Sequence, residues 1–170
     1  MKTNRASYLA SLTVAICSAF LACQDQSQAD TKVSVDQARA LVAPFYDALN
    51  QPAKKDVAAL LGQATSADWL ACSGDDACVP RDVVIGGFKS RGDAVPDLKW
   101  EIKEVLVDDN RIIVRGEGSG TPTSAFLGIA PTGKSFHVMS IDVHTVDHGK
   151  IVRSYHLEDW SSAAQQLTAK

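Results

Sequence analysis

The second half of the chain contains two pairs of short segments with the composition of paired β-strands. Residues 100–107 and 111–117 are rich in β-branched side chains, and residues 135–146 and 150–157 alternate polar with apolar side chains. Each pair is joined by a short polar link containing Asn or Gly, which tolerate positive φ in hairpin turns. These features predict two β-hairpins.

The first half of the chain has helical spacing instead. Ser34 and Gln37 form a capping-box pattern at the start of an amphipathic helix that runs to about Asn50. Further helices are predicted over residues 56–61, 81–90 and 160–167. Helices followed by an antiparallel sheet, without βαβ alternation, predict an α+β domain.

The N-terminus resembles an export signal. Lys2 and Arg5 precede an apolar run over residues 8–22, which is shorter than the about 20 residues of a membrane-spanning helix. The signal is predicted to occupy residues 1–22. We therefore expect an exported protein that is periplasmic, secreted or lipid-anchored to the cell envelope.

The cleavage site has two interpretations. The sequence FLAC resembles a lipoprotein box in which Cys23 carries the lipid and forms a membrane tether. The alternative is ordinary cleavage after Ala29, with a signal over residues 1–29. With either cut, residues 23–33 are predicted to be a flexible leader or tether, and residues 34–170 the folded domain.

Two cysteines remain in the folded domain. Cys72 and Cys78 lie in a segment with Trp69 that is predicted to be a loop, and in an oxidising compartment they are expected to form a disulfide. The alternatives are two free thiols or, less favoured, a metal site, which lacks a companion His or Cys nearby.

The charge of the chain argues against a nucleic-acid partner. Residues 1–22 hold 2 of the 17 basic and none of the 20 acidic residues, so the remainder has a net charge of −5. No basic stripe is present to bind phosphates.

The stretch from Gly128 to Ser135, GIAPTGKS, matches the phosphate-binding loop of nucleotide hydrolases letter for letter. Such a loop must open a helix, whose positive end and free amides hold the phosphates. Here the stretch leads into a predicted strand, and Pro131 removes one amide. We therefore predict a connection between strands and no nucleotide site.

The strand after residue 135 contains the candidate catalytic residues. Its odd-numbered positions are mostly apolar, so the row of His137, Met139 and Ile141 is expected to face the interior. With a three-residue turn to the last strand, Ile141 lies opposite Tyr155, and His137 lies opposite Asp159.

An imidazole beside a carboxylate in an apolar pocket can exchange a proton near neutral pH. His137 and Asp159 are therefore predicted to be catalytic. Two alternatives remain open, in which His137 is an ordinary core histidine and Asp159 caps the helix that begins at Trp160.

The even-numbered row, with its polar side chains, is expected to face solvent. A metal site built from Asp142, His144 and His148 is disfavoured on this ground, and no metal is predicted. Large apolar and aromatic residues are expected in the core or the pocket lining. Those predicted to contact a ligand are Phe45, Tyr46, Trp69, Trp100, Met139, Ile141 and Tyr155.

Three sequence patterns are similar to a known family. They are P-D-L-x-W at Pro96–Trp100, F-x-G-I-x-P-T-G-K at Phe126–Lys134, and I-D-V followed by H-G-K-I-V, from Ile141 through Asp159. Together they cover nearly all of the predicted domain, from Val35 to Leu167. The chain resembles the SnoaL-like polyketide cyclases, often called ester cyclases.

The resemblance implies a cone-shaped barrel of the nuclear-transport-factor-2-like type, with a pocket between helices and a curved sheet. It also implies aldol cyclisation of a hydrophobic small molecule without metal or cofactor, and a possible homodimer through the sheet. The acidic residue of the family maps onto Asp159, with His156 close by as a third catalytic candidate. Arg153 and Tyr155 depart from the family pattern I-V-E-x-W.

These features predict an exported cyclase- or isomerase-type protein that uses acid/base chemistry on a hydrophobic carbonyl compound. The alternative is a non-catalytic, periplasmic or lipid-anchored binding module of the same fold. Fold alone does not separate the two.

Overall fold

The computed structural model describes residues 33–169, which form four α-helices, a short 3-10 helix and six strands. The helices are α1 (Val35–Leu49), α2 (Val57–Ala64), α3 (Arg81–Ala94) and α4 (Trp160–Thr168), with the 3-10 helix at Pro52–Lys54. The strands are β1 (Thr65–Cys72), β2 (Cys78–Pro80), β3 (Lys99–Asp108), β4 (Arg111–Gly120), β5 (Phe136–Asp147) and β6 (Lys150–Glu158). The predicted α+β class is confirmed.

The six strands form one curved sheet in the order β2-β1-β6-β5-β4-β3. Contrary to the predicted loop, the segment around Trp69 and the cysteines forms the hairpin β1–β2. Because β1 pairs in parallel with β6, the sheet is mixed and not fully antiparallel. Local sequence did not reveal β1, since its pairing joins positions more than 80 residues apart, such as Leu70 and Arg153.

Helix α1 packs on the inner face of the sheet. Its predicted capping box is confirmed: the Gln37 amide donates to Ser34 Oγ at 3.2 Å, and the Ser34 amide donates to Gln37 Oε1 at 2.8 Å. The buried face of the helix includes Val42, Phe45 and Tyr46. Two aromatic rings of this helix therefore lie on its buried face, towards the sheet.

Glycines on β4 make room for a tryptophan on β3. A Cβ atom at Gly118 would lie 2.6 Å from the Trp100 ring, and one at Gly116 would lie 2.7 Å from Ser140 Oγ. Trp100 Nε1 donates to that same hydroxyl at 3.1 Å. Glycine in a strand often marks such a close approach, and here the missing side chains leave room for the indole.

The stretch from Gly128 to Ser135 connects β4 to β5, as predicted, and no helix begins there. Leu127 and Gly128 have positive φ, in a tight turn closed by Phe126 and Ile129. Thr132 Oγ1 donates to the Leu167 carbonyl at 2.9 Å. The connection therefore holds the end of α4.

Cys72 and Cys78 form the predicted disulfide, which joins β1 to β2 across a Cα distance of 4.0 Å.

No helix among residues 33–169 is long and apolar enough to cross a membrane. The predicted signal and Cys23 lie outside the described residues.

Candidate active site

The inner row of β5 is the even-numbered row, so the predicted orientation of this strand is wrong. Ser140, Asp142 and His144 are buried, whereas His137 and Met139 on the odd row are exposed. The alternation identified two rows correctly. It could not show which row faces inward, because this part of the inner face is polar.

The predicted register between β5 and β6 is also wrong. The turn has two residues, His148 and Gly149, with φ of 47° and 72°, because Asp147 pairs with Lys150. A β-bulge follows in β6, where Val146 pairs with Ile151 but Thr145 pairs with Arg153.

The bulge determines which side chains of β6 face inward. Beyond it, His144 pairs with Ser154, Asp142 with His156, and Ser140 with Glu158. Paired residues of neighbouring strands share one face of a sheet. The bulge therefore brings an imidazole and two carboxylates to the same inner surface.

The predicted pair of His137 and Asp159 does not form. His137 is exposed, and its amide donates to Gln166 Oε1 at 2.7 Å. Asp159 is the N-cap of α4: its carboxylate accepts from the Ser162 amide at 3.0 Å and from the Ser162 and Ser161 hydroxyls. These hydrogen bonds lower the pKa of Asp159. The capping alternative is confirmed.

A cavity of about 210 Å³ lies between the inner face of the sheet and helices α1 and α3. Its wall is mostly apolar, and its polar lining residues are Arg91, Asp142, Ser154, His156 and Glu158. A few convergent polar groups in an apolar cavity are typical of a small-molecule site.

The residues predicted to contact a ligand are divided between the two faces of the sheet. Phe45, Trp69 and Trp100 line the cavity, and Tyr46 lies behind Asp142. The inward orientation predicted for the other three is wrong, because they belong to the outer rows. They are Met139, Ile141 and Tyr155.

Asp142 is the central acidic group of the cavity. Tyr46 Oη donates to its Oδ2 at 2.8 Å, and Oδ1 has no hydrogen bond to a described residue. Burial raises the pKa of Asp142 to about 7, assisted by the charge of Glu158 and opposed by the Tyr46 hydrogen bond. A carboxylate with this pKa can both accept and return a proton at neutral pH.

A chain of hydrogen bonds holds Asp142 in place. Trp69 Nε1 donates to Ser154 Oγ at 2.9 Å, and this hydroxyl lies 2.7 Å from His144 Nδ1. His144 Nε2 lies 3.3 Å from Tyr46 Oη.

The donors fix the direction of this chain. The Tyr46 hydroxyl donates its one proton to Asp142, so its oxygen accepts from His144 Nε2–H, and His144 Nδ1 accepts from the Ser154 hydroxyl. Burial lowers the pKa of His144 to about 3, which keeps the ring neutral as this arrangement requires. The chain therefore runs in one direction, from the Trp69 indole to the Asp142 carboxylate.

An acid–imidazole pair lies beside Asp142. His156 Nδ1 lies 3.2 Å from Glu158 Oε2. That hydrogen bond raises the pKa of His156 against the effect of its burial. Burial alone would raise the pKa of Glu158, but the hydrogen bond and the charges of His156 and Arg91 together lower it. The pair therefore favours imidazolium and carboxylate.

Asp142, His144 and His148 do not meet at one site. His148 is exposed in the hairpin turn, where it pairs with Asp147, whereas Asp142 and His144 are buried. Within residues 33–169 no group of three His, Cys, Asp or Glu side chains is placed to hold a metal ion.

The described residues thus form an α+β fold with a curved sheet and a cavity lined by several titratable side chains. The family model of the SnoaL-like polyketide cyclases matches residues 40–167, and the chain belongs to this family. No curated protein matches the sequence.

Solved structures with the same fold support this class. TsrD from Streptomyces laurentii is 17% identical, with a TM-score of 0.70 over 82% of this chain and 100% of its own. IdmH from Streptomyces antibioticus is 21% identical, with a TM-score of 0.67 over 77% and 98%. A SnoaL-like polyketide cyclase from Agrobacterium tumefaciens is 18% identical, with a TM-score of 0.62 over 76% and 97%.

Proposed function

We propose that the protein is a cyclase- or isomerase-type enzyme in which Asp142 performs acid/base chemistry on a hydrophobic carbonyl compound. The observation that carries this proposal is the Asp142 carboxylate, buried in an apolar cavity with a pKa of about 7. Membership of the SnoaL-like family supports the reaction class.

In the proposed reaction, Asp142 removes a proton from the carbon next to a carbonyl group. The electrons of the broken C–H bond form a C=C bond, and the carbonyl oxygen becomes an enolate. In a cyclisation the enolate carbon then bonds to a second carbonyl carbon, whose oxygen takes up the proton. The residues themselves supply and recover the proton, so the step needs no cofactor.

His156 assists in this scheme. Its Nδ1 is held by Glu158, while its Nε2 has no hydrogen bond to a described residue. A protonated imidazole beside the cavity can donate to a substrate oxygen. Of the three residues predicted to be catalytic, His156 keeps a role in this scheme, and Asp142 takes the place of Asp159 and His137.

The cavity volume limits the substrate. At about 210 Å³ it is smaller than the roughly 300–1,000 Å³ of pockets for drug-sized ligands. A compact ketone or ketoester fits this space, or only the reacting end of a longer molecule enters it.

The test is deuterium exchange at the α carbon of small hydrophobic ketones and ketoesters, followed by proton NMR in heavy water. Asp142→Asn should slow exchange by about 10²–10⁴-fold. Asp159→Asn removes the same charge from the outer face and should leave exchange unchanged. Exchange that survives in Asp142→Asn would refute the proposal, and binding without exchange in the unmodified protein would favour the non-catalytic module.

The protein is further proposed to be exported, with Cys23 as a candidate lipid attachment site, because its N-terminus has the pattern of a signal. Mass spectrometry of the mature N-terminus distinguishes an acylated Cys23 from cleavage after Ala29. A homodimer through the outer face of the sheet is also proposed, since Met139 and Leu157 are 56% and 72% exposed. Sedimentation analysis tests this.

A further inference from the structure

Arg91 places a cation in the wall of the cavity. It lies in the last turn of α3, with its guanidinium carbon 5.2 Å from the centre of the Trp160 ring and 6.0 Å from that of Phe88. The guanidinium has no hydrogen bond or ion pair to any residue in the described range 33–169. The side chain is half-buried and its guanidinium nitrogens remain accessible, so they can donate to a ligand in the cavity.

The neighbouring acid is already engaged. Glu158 lies close enough to influence Arg91 electrostatically, but its hydrogen bond goes to His156. Burial lowers the pKa of Arg91, yet a guanidinium remains charged at neutral pH. With Asp142 protonated, the polar lining therefore carries one more positive than negative charge.

We propose that Arg91 is the anion-binding group of the cavity and that it holds the enolate oxygen formed when Asp142 takes up the substrate proton. This inference rests on the proposed function. Proton transfer moves one negative charge from Asp142 onto the substrate oxygen. A cation on the opposite wall, held in a low-dielectric cavity, stabilises the charge where it develops.

The ring of Trp160 keeps Arg91 ready for this task. A planar guanidinium stacks on an aromatic face while its N–H groups stay free to donate, which an ammonium group does less well. The ligand class that follows is a carbonyl compound whose enolate is the tightly bound form.

The experiment compares two probes of nearly the same shape. Dimedone, a cyclic diketone, is an enolate-like anion at neutral pH, whereas its methyl enol ether is neutral. Trp69 and Trp100 line the cavity and Trp160 lies against Arg91, so tryptophan fluorescence reports binding of both probes. The unmodified protein should bind dimedone at least about tenfold more tightly, as expected for a charge-assisted hydrogen bond.

Arg91→Gln should reduce this preference to within about twofold, and Arg91→Lys should retain part of it. Lys89→Gln is the matched control, because Lys89 is an exposed cation on the same helix and its loss should leave the preference unchanged. Thermal unfolding verifies that each variant is folded. If Arg91→Gln does not fold, Arg91→Lys replaces it, and its preference for dimedone should lie below that of the unmodified protein.

Three results would overturn the inference: equal affinity for the two probes, an unchanged preference in Arg91→Gln, or no saturable binding of either probe. Asp142→Asn should keep or increase the preference for dimedone, because binding involves no proton transfer and the substitution removes a negative charge from the cavity wall. Failure of the Arg91 proposal thus leaves the exchange assay of Asp142 unaffected, and the reverse also holds.

Discussion

The inner and outer faces of the sheet invert the usual distribution of side chains along β5 and β6. The inner face carries Asp142, His144 and His156, buried or half-buried, whereas the outer face exposes Met139 and Leu157. Buried polar groups are costly unless they are hydrogen-bonded. The polar inner face therefore locates the candidate site, where hydrogen-bonded polar side chains replace apolar packing.

Carboxylates on the two faces also differ in their hydrogen bonds and in the direction of their pKa shifts. Asp159, on the outside, accepts three hydrogen bonds from Ser161 and Ser162, and its pKa is lowered. Asp142, on the inside, accepts one hydrogen bond from the described residues, that of Tyr46, and burial raises its pKa to about 7. The same side chain thus acts as a helix cap at one position and a candidate base at the other.

The largest predicted effect concerns the pH dependence of stability. Asp142 has a higher pKa folded than unfolded, so its contribution to stability falls as pH rises from about 4 to 7. His144 has a folded pKa of about 3, so its contribution falls as pH drops below about 6.5. Between about pH 4.5 and 6.5 the two contributions oppose each other.

Asp142→Asn should expose the effect of His144 alone. Relative to the unmodified protein, its free energy of unfolding should fall more steeply as pH drops from 6.5 to 4.5, by up to about 1.4 kcal/mol per pH unit. Urea unfolding at several pH values measures this. Asp159→Asn should follow the unmodified protein in this range, and identical curves for the two variants would contradict the assigned burial of Asp142.

A medium effect is expected at the glycines of β4. Gly118→Ala places a methyl group against the Trp100 ring on the inner face and should lower the free energy of unfolding by about 1–3 kcal/mol. Ser119→Ala, the next position on the outer row, should change it by less than about 0.5 kcal/mol. Denaturant unfolding compares the two, and equal losses would place the close contact elsewhere.

The smallest effect is expected on the outer face. In the monomer, at low protein concentration, Leu157→Gln should change the free energy of unfolding by less than about 0.5 kcal/mol, since the side chain is 72% exposed. Ile151→Gln on the same strand buries an amide and should cost about 3 kcal/mol or more. A large loss in Leu157→Gln at low protein concentration would show that this residue is covered within the monomer.

The prediction of the elements succeeded where local signals are strong. The capping box at Ser34, the N-cap at Asp159 and the two hairpins follow from side chains within a few residues of each other. The disulfide between Cys72 and Cys78 was predicted from spacing and compartment. The missed element, β1, depends on pairing with a strand far along the chain.

The candidate site was harder to predict, although part of its signal was present. Phe45, Trp69, Trp100 and His156 were selected and do line the cavity. Alternation with the apolar row inward predicts a solvent-facing Asp142, whereas this side chain is buried. The glycine alternation over Gly116, Gly118 and Gly120 was the available clue, since it shows which row of β4 accepts a large neighbour.

The sequence by itself determined the α+β class, the family and the alternation of two side-chain rows on β5, because these depend on short-range patterns. The tertiary structure alone decided which row of β5 faces the cavity, and a bulge in β6, which offsets the two-residue turn at His148 and Gly149, brings His156 and Glu158 to that same face. A shift of one position exchanges the two faces of a strand. For this reason the location of the acid/base site depends on the long-range pairing of strands and not on local composition.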